Sequence, residues 1–185
     1  KVTELIILLY LYYIKPTAKY ITWVEFESDF GTQDGPFLSR DLFRKFFKKP
    51  MEEIFLQVKR LAPGAKIFLH SCGSIRELIP DFIDMGVDIL SGLQPLAKNM
   101  DSAELKKEFG KDIVFHGSVD IQRALCGNIA DAAKDAKRSI SDFGFGGGYI
   151  FGPSNHFQND IPVKNFITMY KTAVEFGRYP LKLND

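Results

Sequence analysis

The sequence predicts an α/β fold built on a parallel sheet, and three observations carry that prediction. Strand-like and helix-like segments alternate from Tyr20 to the C-terminal helix that closes at Phe176. The strand segments after the first, such as KIFLHS from Lys66 and VDILS from Val87, are short and apolar throughout, the pattern of strands covered on both faces. Helical segments stop at glycines, Gly86 and Gly110 among them, as helices do where the chain must turn back.

Taken in order, residues 3–14 form an apolar helix that Pro16 ends, and Tyr20–Ser28 (YITWVEFES) is a β-rich first strand. The loop DFGTQDGPFLS follows, broken by Gly31, Gly35 and Pro36. Ser39 is the expected N-cap of a helix from Arg40 to about Phe47, with a second helix from Pro50 to Leu61. Lys66–Ser71 is a strand, Ile75–Met85 a helix, Val87–Ser91 a strand and Asp101–Phe109 a helix. Asp112–His116, Ile129–Phe143, Tyr149–Gly152 and Pro162–Phe176 complete the alternation as strand, helix, strand, helix. The glycine-rich turn FGFGGGY precedes a strand, whereas a dinucleotide-binding loop follows one and opens a helix, so it reads as a tight connection. Two architectures fit this order: an open doubly wound sheet, or part of a (β/α)₈ barrel. No linker suggests a second domain, and residues 1–185 are expected to form one.

Composition narrows the function classes. The 185 residues are 45% hydrophobic and 25% charged, values of a globular chain. With 24 basic and 23 acidic residues the net charge is +1, which offers no electrostatic footprint for nucleic acid or an anionic membrane. The 17 Phe and 7 Tyr predict a large core, an apolar pocket or a subunit interface. The longest apolar run, Leu5–Ile14, is too short to span a bilayer, which takes about 20 residues, and no small-residue cleavage site follows it. Cys72 and Cys126 cannot make a disulfide framework. A cytoplasmic protein acting on a small molecule, with a homo-oligomer compatible with its aromatic content, is the expectation.

The chemistry-bearing residues gather where strands end. His70 ends KIFLH, His116 ends DIVFH and His156 follows GYIFGPSN. In parallel α/β folds that edge of the sheet binds ligands. His70 and Cys72 are spaced i, i+2, which on extended backbone puts both on one face, and imidazole nitrogen and thiolate are both good zinc ligands. The competing reading is a buried cysteine beside a hydrogen-bonded histidine. A third ligand has to come from elsewhere, with His156, Glu25, Glu27 and His116 as candidates. Glu25, Glu27 and Asp29 cluster at the end of the first strand, where carboxylates can do acid/base work, bind a cation or simply be solvated. The candidate catalytic groups are therefore Glu25, Asp29 and His116, the candidate substrate-binding groups Gln33, Asn155 and His156, and the candidate metal ligands His70 and Cys72. His70, Cys72, His116 and the 153–156 loop are expected to line one cleft, with the acidic residues near its rim. Cys126, in Leu-Cys-Gly, reads as a small apolar residue.

The stretch HSCGSIRELIPDFIDMGVDILSGLQPLAKNMDSAELKKEFG, His70–Gly110, resembles the uroporphyrinogen decarboxylase family in its broad sense. So do IVFHGSVDIQRAL, GGGYIFGPSNHFQNDIPVKNFITMYKTA and the upstream ESDFGTQDGPFLSRDLFRKFFKKP. The resemblance runs from about Glu25 to the end. It implies a (β/α)₈ TIM barrel, of which this chain, with about five parallel strands, corresponds to the C-terminal part. A whole barrel takes about 250 residues, so the resemblance implies that about three N-terminal βα units are absent, together with the substrate-binding arginine and aspartate of the decarboxylases.

The resemblance also implies an enzyme of one of two chemistries. One branch transfers methyl groups between a corrinoid protein and a thiol or related acceptor; its thiol-using members hold zinc through a His-x-Cys pair and a later cysteine. His70-Ser71-Cys72 matches the pair, and the later cysteine falls near Asn155. The other branch decarboxylates uroporphyrinogen to coproporphyrinogen in porphyrin biosynthesis, without metal. The first is favoured, with zinc and a corrinoid partner protein implied; the second is the alternative, and an inactive truncated chain, or a subunit completed by association, is the third reading.

Overall fold

The computed structural model describes residues 1–181. Its elements run α1 (Val2–Ile14), β1 (Trp23–Glu27), α2 (Arg40–Phe43), a π-helical turn (Arg44–Lys48), α3 (Lys49–Leu61) and β2 (Lys66–His70). They continue through a 3₁₀ turn (Arg76–Leu78), α4 (Ile79–Asp84), β3 (Ile89–Ser91), α5 (Ser102–Phe109), β4 (Val114–Val119), α6 (Ile129–Gly144), β5 (Tyr149–Pro153) and α7 (Val163–Phe176). All five strands lie in one parallel sheet in the order β1-β2-β3-β4-β5. That order decides between the two architectures. A doubly wound sheet reverses its strand order at a switch point, whereas sequential right-handed crossovers keep every helix on one face, as in a barrel. The fold is an arc of the (β/α)₈ type.

The two faces of the arc differ accordingly. Val24 and Phe26 point into the helix layer, where Phe26 meets Tyr10 of α1 and Phe55 of α3 at ring-centroid distances of 5.0 and 4.8 Å. The core there is aromatic: Phe30, Phe43, Phe55, Phe82, Phe115 and Phe143 are all buried. The opposite, concave face carries Trp23, Glu25 and Glu27 on β1 and Phe68 and His70 on β2, in the register Trp23↔Lys66, Glu25↔Phe68, Glu27↔His70. Phe68 stacks on Trp23 at 5.9 Å and meets the His116 ring at 5.1 Å, which makes an apolar floor beneath the strand ends.

Three local departures from the sequence expectation have physical causes. The two helices expected on either side of Pro50 are one continuous run from Arg40 to Leu61. The widened π turn at Arg44–Lys48 shifts the carbonyl that the Pro50 ring would otherwise strike, so the helix passes through the proline. The helix expected over 75–85 begins as a 3₁₀ turn and becomes α-helical only at Ile79, with Pro80 in its first turn, where a missing N–H is harmless. β4 extends three residues beyond His116, because Gly117 and Ser118 adopt φ of 101° and 80° and still pair with Phe151 and Gly152. Ser39 caps as expected, its Oγ accepting from Leu42 N.

The helix α1 is apolar on all sides, yet only Ile14 is buried; Leu5, Leu8, Leu9, Tyr12 and Tyr13 are exposed. It packs on α3 and, with the outer edge of β1, bounds an apolar groove of about 1190 Å³. Among the described residues no helix is long and apolar enough to cross a membrane.

Candidate metal and substrate site

The site begins with the parallel register. Glu27, His70 and Ser91 are in-register partners across β1, β2 and β3, so they share one level and one face of the sheet. His116 stands one step beyond the Leu90↔Phe115 pair on β4 and joins the same level. Beyond His70 the chain leaves the strand at Ser71, whose buried hydroxyl accepts from Phe30 N at 3.1 Å and pins the loop after β1 to the loop after β2. Gly31 and Gly73 make that contact possible. A Cβ on Gly31 would lie 2.6 Å from the Cys72 carbonyl oxygen, and Gly73, at φ +84°, would put one 2.6 Å from the Gly31 backbone. Both positions need glycine, and together they fix where Asp29 and Cys72 meet.

They meet closely. Asp29 Oδ1 accepts from Cys72 N at 3.0 Å and lies 3.7 Å from His70 Nε2. A carboxylate oxygen of Asp29, a ring nitrogen of His70 and Sγ of Cys72 all lie within 4.8 Å of one another. Two ligands about 2.1 Å from a tetrahedral ion stand roughly 3.4 Å apart, so the spacing suits one small cation with a further position open to solvent. The donor set, one oxygen, one nitrogen and one sulfur, is of the kind zinc accepts. Burial first, and then the hydrogen bond and negative charge of Asp29, push the Cys72 thiol up to about 11. Without a cation Cys72 is therefore a neutral thiol at neutral pH rather than a nucleophile.

Around this triad lie the other candidates. The His156 ring sits 5.8 Å from that of His70, and its Nε2 is 3.5 Å from Glu27 Oε1. Asn155 accepts from His156 N through its own Oδ1, and its side chain reaches the Cys72 thiol. His116, on β4, lies two strands from His70, beyond Ser91 of β3; burial and the charge of His70 hold its pKa below the ordinary histidine value. Glu25 is exposed on the concave face, one step lower than Glu27 and level with Phe68. Gln33 is drawn elsewhere: its Nε2 donates to Gln94 Oε1 at 2.8 Å, across from the loop after β3. Cys126 lies apart, after β4, where its thiol donates to Ile121 O.

The sequence model of uroporphyrinogen decarboxylase (URO-D) matches residues 1–176. The chain belongs to this family. Among curated proteins none matches it. The URO-D match covers both the strand-end cluster and the apolar α1, so the site lies wholly inside the family's fold.

Asp29, expected as a catalytic group and not among the third-ligand candidates His156, Glu25, Glu27 and His116, is the residue whose carboxylate oxygen comes within 4.8 Å of the donor atoms of both His70 and Cys72. Ser91 was missed altogether. The available signal was a lone hydroxyl at the end of the apolar strand VDILS, level with a histidine on either side.

Proposed function

We propose that this URO-D family chain carries a mononuclear zinc site built from Asp29, His70 and Cys72, and that the site serves methyl transfer from a corrinoid protein to a thiol or related acceptor. The observation that supports it is the O, N, S donor triad at the C-terminal ends of neighbouring parallel strands, the edge where barrels of this type bind their ligands. Bound there, zinc would supply a Lewis acid that lowers the pKa of an acceptor thiol and so makes it nucleophilic. The chain's own residues have separable tasks. Asp29 anchors the Cys72 backbone N–H and would offer its carboxylate to the ion. His70 offers Nε2 because its Nδ1 faces Ser91. Glu27 and His156 close one side of the opening and can orient a polar acceptor group. Trp23 and Phe68 line the concave face below and favour an apolar portion of the substrate.

The test is zinc stoichiometry after equilibrium dialysis of the purified chain, with Cys72→Ser and Asp29→Asn alongside. About one zinc per wild-type chain is expected, with each variant strongly depleted. Equal zinc in all three, or none in the wild type, would defeat the reading. Decarboxylation of uroporphyrinogen, the reaction in the family's name, leaves the triad without a task; a metal-free chain that releases carbon dioxide from uroporphyrinogen would put that reading first.

A further inference from the structure

Ser91 stands between two imidazoles. Its Oγ is 2.9 Å from His116 Nδ1 and 3.4 Å from His70 Nδ1. Ser91 is 5% exposed and His70 8%, so water does not readily replace these contacts. A serine hydroxyl has a single proton to give and lone pairs to receive one. It can donate to one ring and accept from the other, but it cannot donate to both. For neutral rings, both contacts are satisfied only when one histidine carries its proton on Nδ1 and the other carries it on Nε2.

We propose that Ser91 holds His70 and His116 in complementary tautomers, so that the state in which His70 offers a bare Nε2 to the site is the state in which His116 presents an Nε2–H donor to a bound substrate. In that state the hydrogen-bond chain runs in one direction: His70 Nδ1–H donates to Ser91 Oγ, and Ser91 O–H donates to His116 Nδ1. The far nitrogen of His70 then faces Asp29, 3.7 Å away. The far nitrogen of His116 faces Gly152, where a Cβ would stand only 3.2 Å from it; the missing side chain leaves room for a substrate acceptor beside that N–H. Ser91 is a positioning residue, because it acts on the site through the two rings. The direction of the chain rests on the metal reading above, while the pairing of the tautomers does not.

Long-range ¹H–¹⁵N correlation spectra of ¹⁵N-histidine-labelled protein test this at about pH 8, above the ordinary histidine range. In zinc-free wild type, one of the two rings is expected to carry Nδ1–H and the other Nε2–H. With zinc, His70 is expected to carry Nδ1–H and His116 Nε2–H. Ser91→Ala should uncouple the rings, so that zinc no longer sets the His116 tautomer, and should weaken zinc binding about 10- to 100-fold, the range for loss of a partner behind a ligand histidine. Ser91→Thr, which keeps the hydroxyl, should retain the pairing. The same tautomer on both rings of the wild type, or an unchanged pair and unchanged zinc affinity in Ser91→Ala, would overturn the proposal. If Ser91→Ala fails to fold, the wild-type spectra and Ser91→Thr still decide it. If the wild type takes up no zinc, the metal reading and the direction of the chain both fall, and the zinc-free spectrum alone judges the complementary pair.

Discussion

Asp81, in the helix layer, and Asp29, at the strand ends, are handled in opposite ways. Asp81 is 0% exposed and receives Arg40 Nε, Arg44 Nε and Lys48 Nζ at 2.6, 2.8 and 2.7 Å. The three cations recur every fourth residue, so one face of the helix brings all of them to the carboxylate. Burial by itself pushes this carboxyl up, but the hydrogen bonds from Arg44, Lys48 and Arg40 more than offset it and hold the pKa well below the usual carboxylate range. Asp29 is 53% exposed and accepts from the Cys72 backbone N–H and from the neutral Cys72 thiol. His70 and Cys72 bring it potential metal-ligand atoms rather than fixed cations such as those around Asp81. A charge compensated on every side ties the helices to one another. A group of lone pairs converging on one point gains when something positive enters it.

The largest expected effect falls on the compensated region. Asp81→Asn removes the centre of the ion cluster and should cost about 3 kcal/mol, the low end for breaking a buried pair, since the cations keep partial access to water. For a chain of this size that is roughly 6–12 °C in Tm, and zinc affinity should stay the same. Asp29→Asn should do the reverse, weakening zinc binding by at least about 100-fold, the upper figure for losing a mere partner of a ligand, while the unfolding free energy from urea titration changes by no more than about 0.5 kcal/mol. If either of these two aspartate variants shifts both quantities together, the distinction dissolves.

Gly31→Ala sits between the two regions. Its new Cβ must displace the Cys72 carbonyl, so a loss of about 1–3 kcal/mol from overpacking should appear together with weaker zinc binding. Acid sharpens the contrast further. Because the folded pKa of Asp81 lies below its unfolded value of about 3.9, its stabilisation is complete above that value and fades as pH falls below it. Urea midpoints measured from pH 6 down to pH 3 should fall more steeply for wild type than for Asp81→Asn; parallel curves would remove Asp81 from the acid response. The smallest effect belongs to the exposed ion pairs of Arg76 with Glu104 and Glu108. Arg76→Ala should cost at most about 1 kcal/mol, and a larger loss in thermal unfolding would show that surface pairs matter here as much as the buried cluster.

The sequence by itself determined the alternation of strand and helix, the parallel character of the sheet and the concentration of histidines at strand ends. Each follows from local signals: short all-apolar runs, glycine stops, and polar residues where those runs finish. His70 and Cys72 could be paired from sequence because residues two apart on extended backbone must share a face. Other features depend on the tertiary structure. Strand order depends on which edges pair, and an apolar strand does not encode its neighbour; the residue patterns therefore leave a barrel arc and a doubly wound sheet both open, the family resemblance implies the barrel, and the sheet order agrees with it. The convergence of Arg40, Arg44 and Lys48 on Asp81 depends on how the helix that contains Pro50 lies over α4. Asp29 approaches Cys72 because Gly31 and Gly73 let two loops touch backbone to backbone. Ser91 comes to lie between His70 and His116 because three strands are in register. These are contacts across long stretches of chain, and no local periodicity records them, because their energy depends on distances that exist only once the sheet has formed.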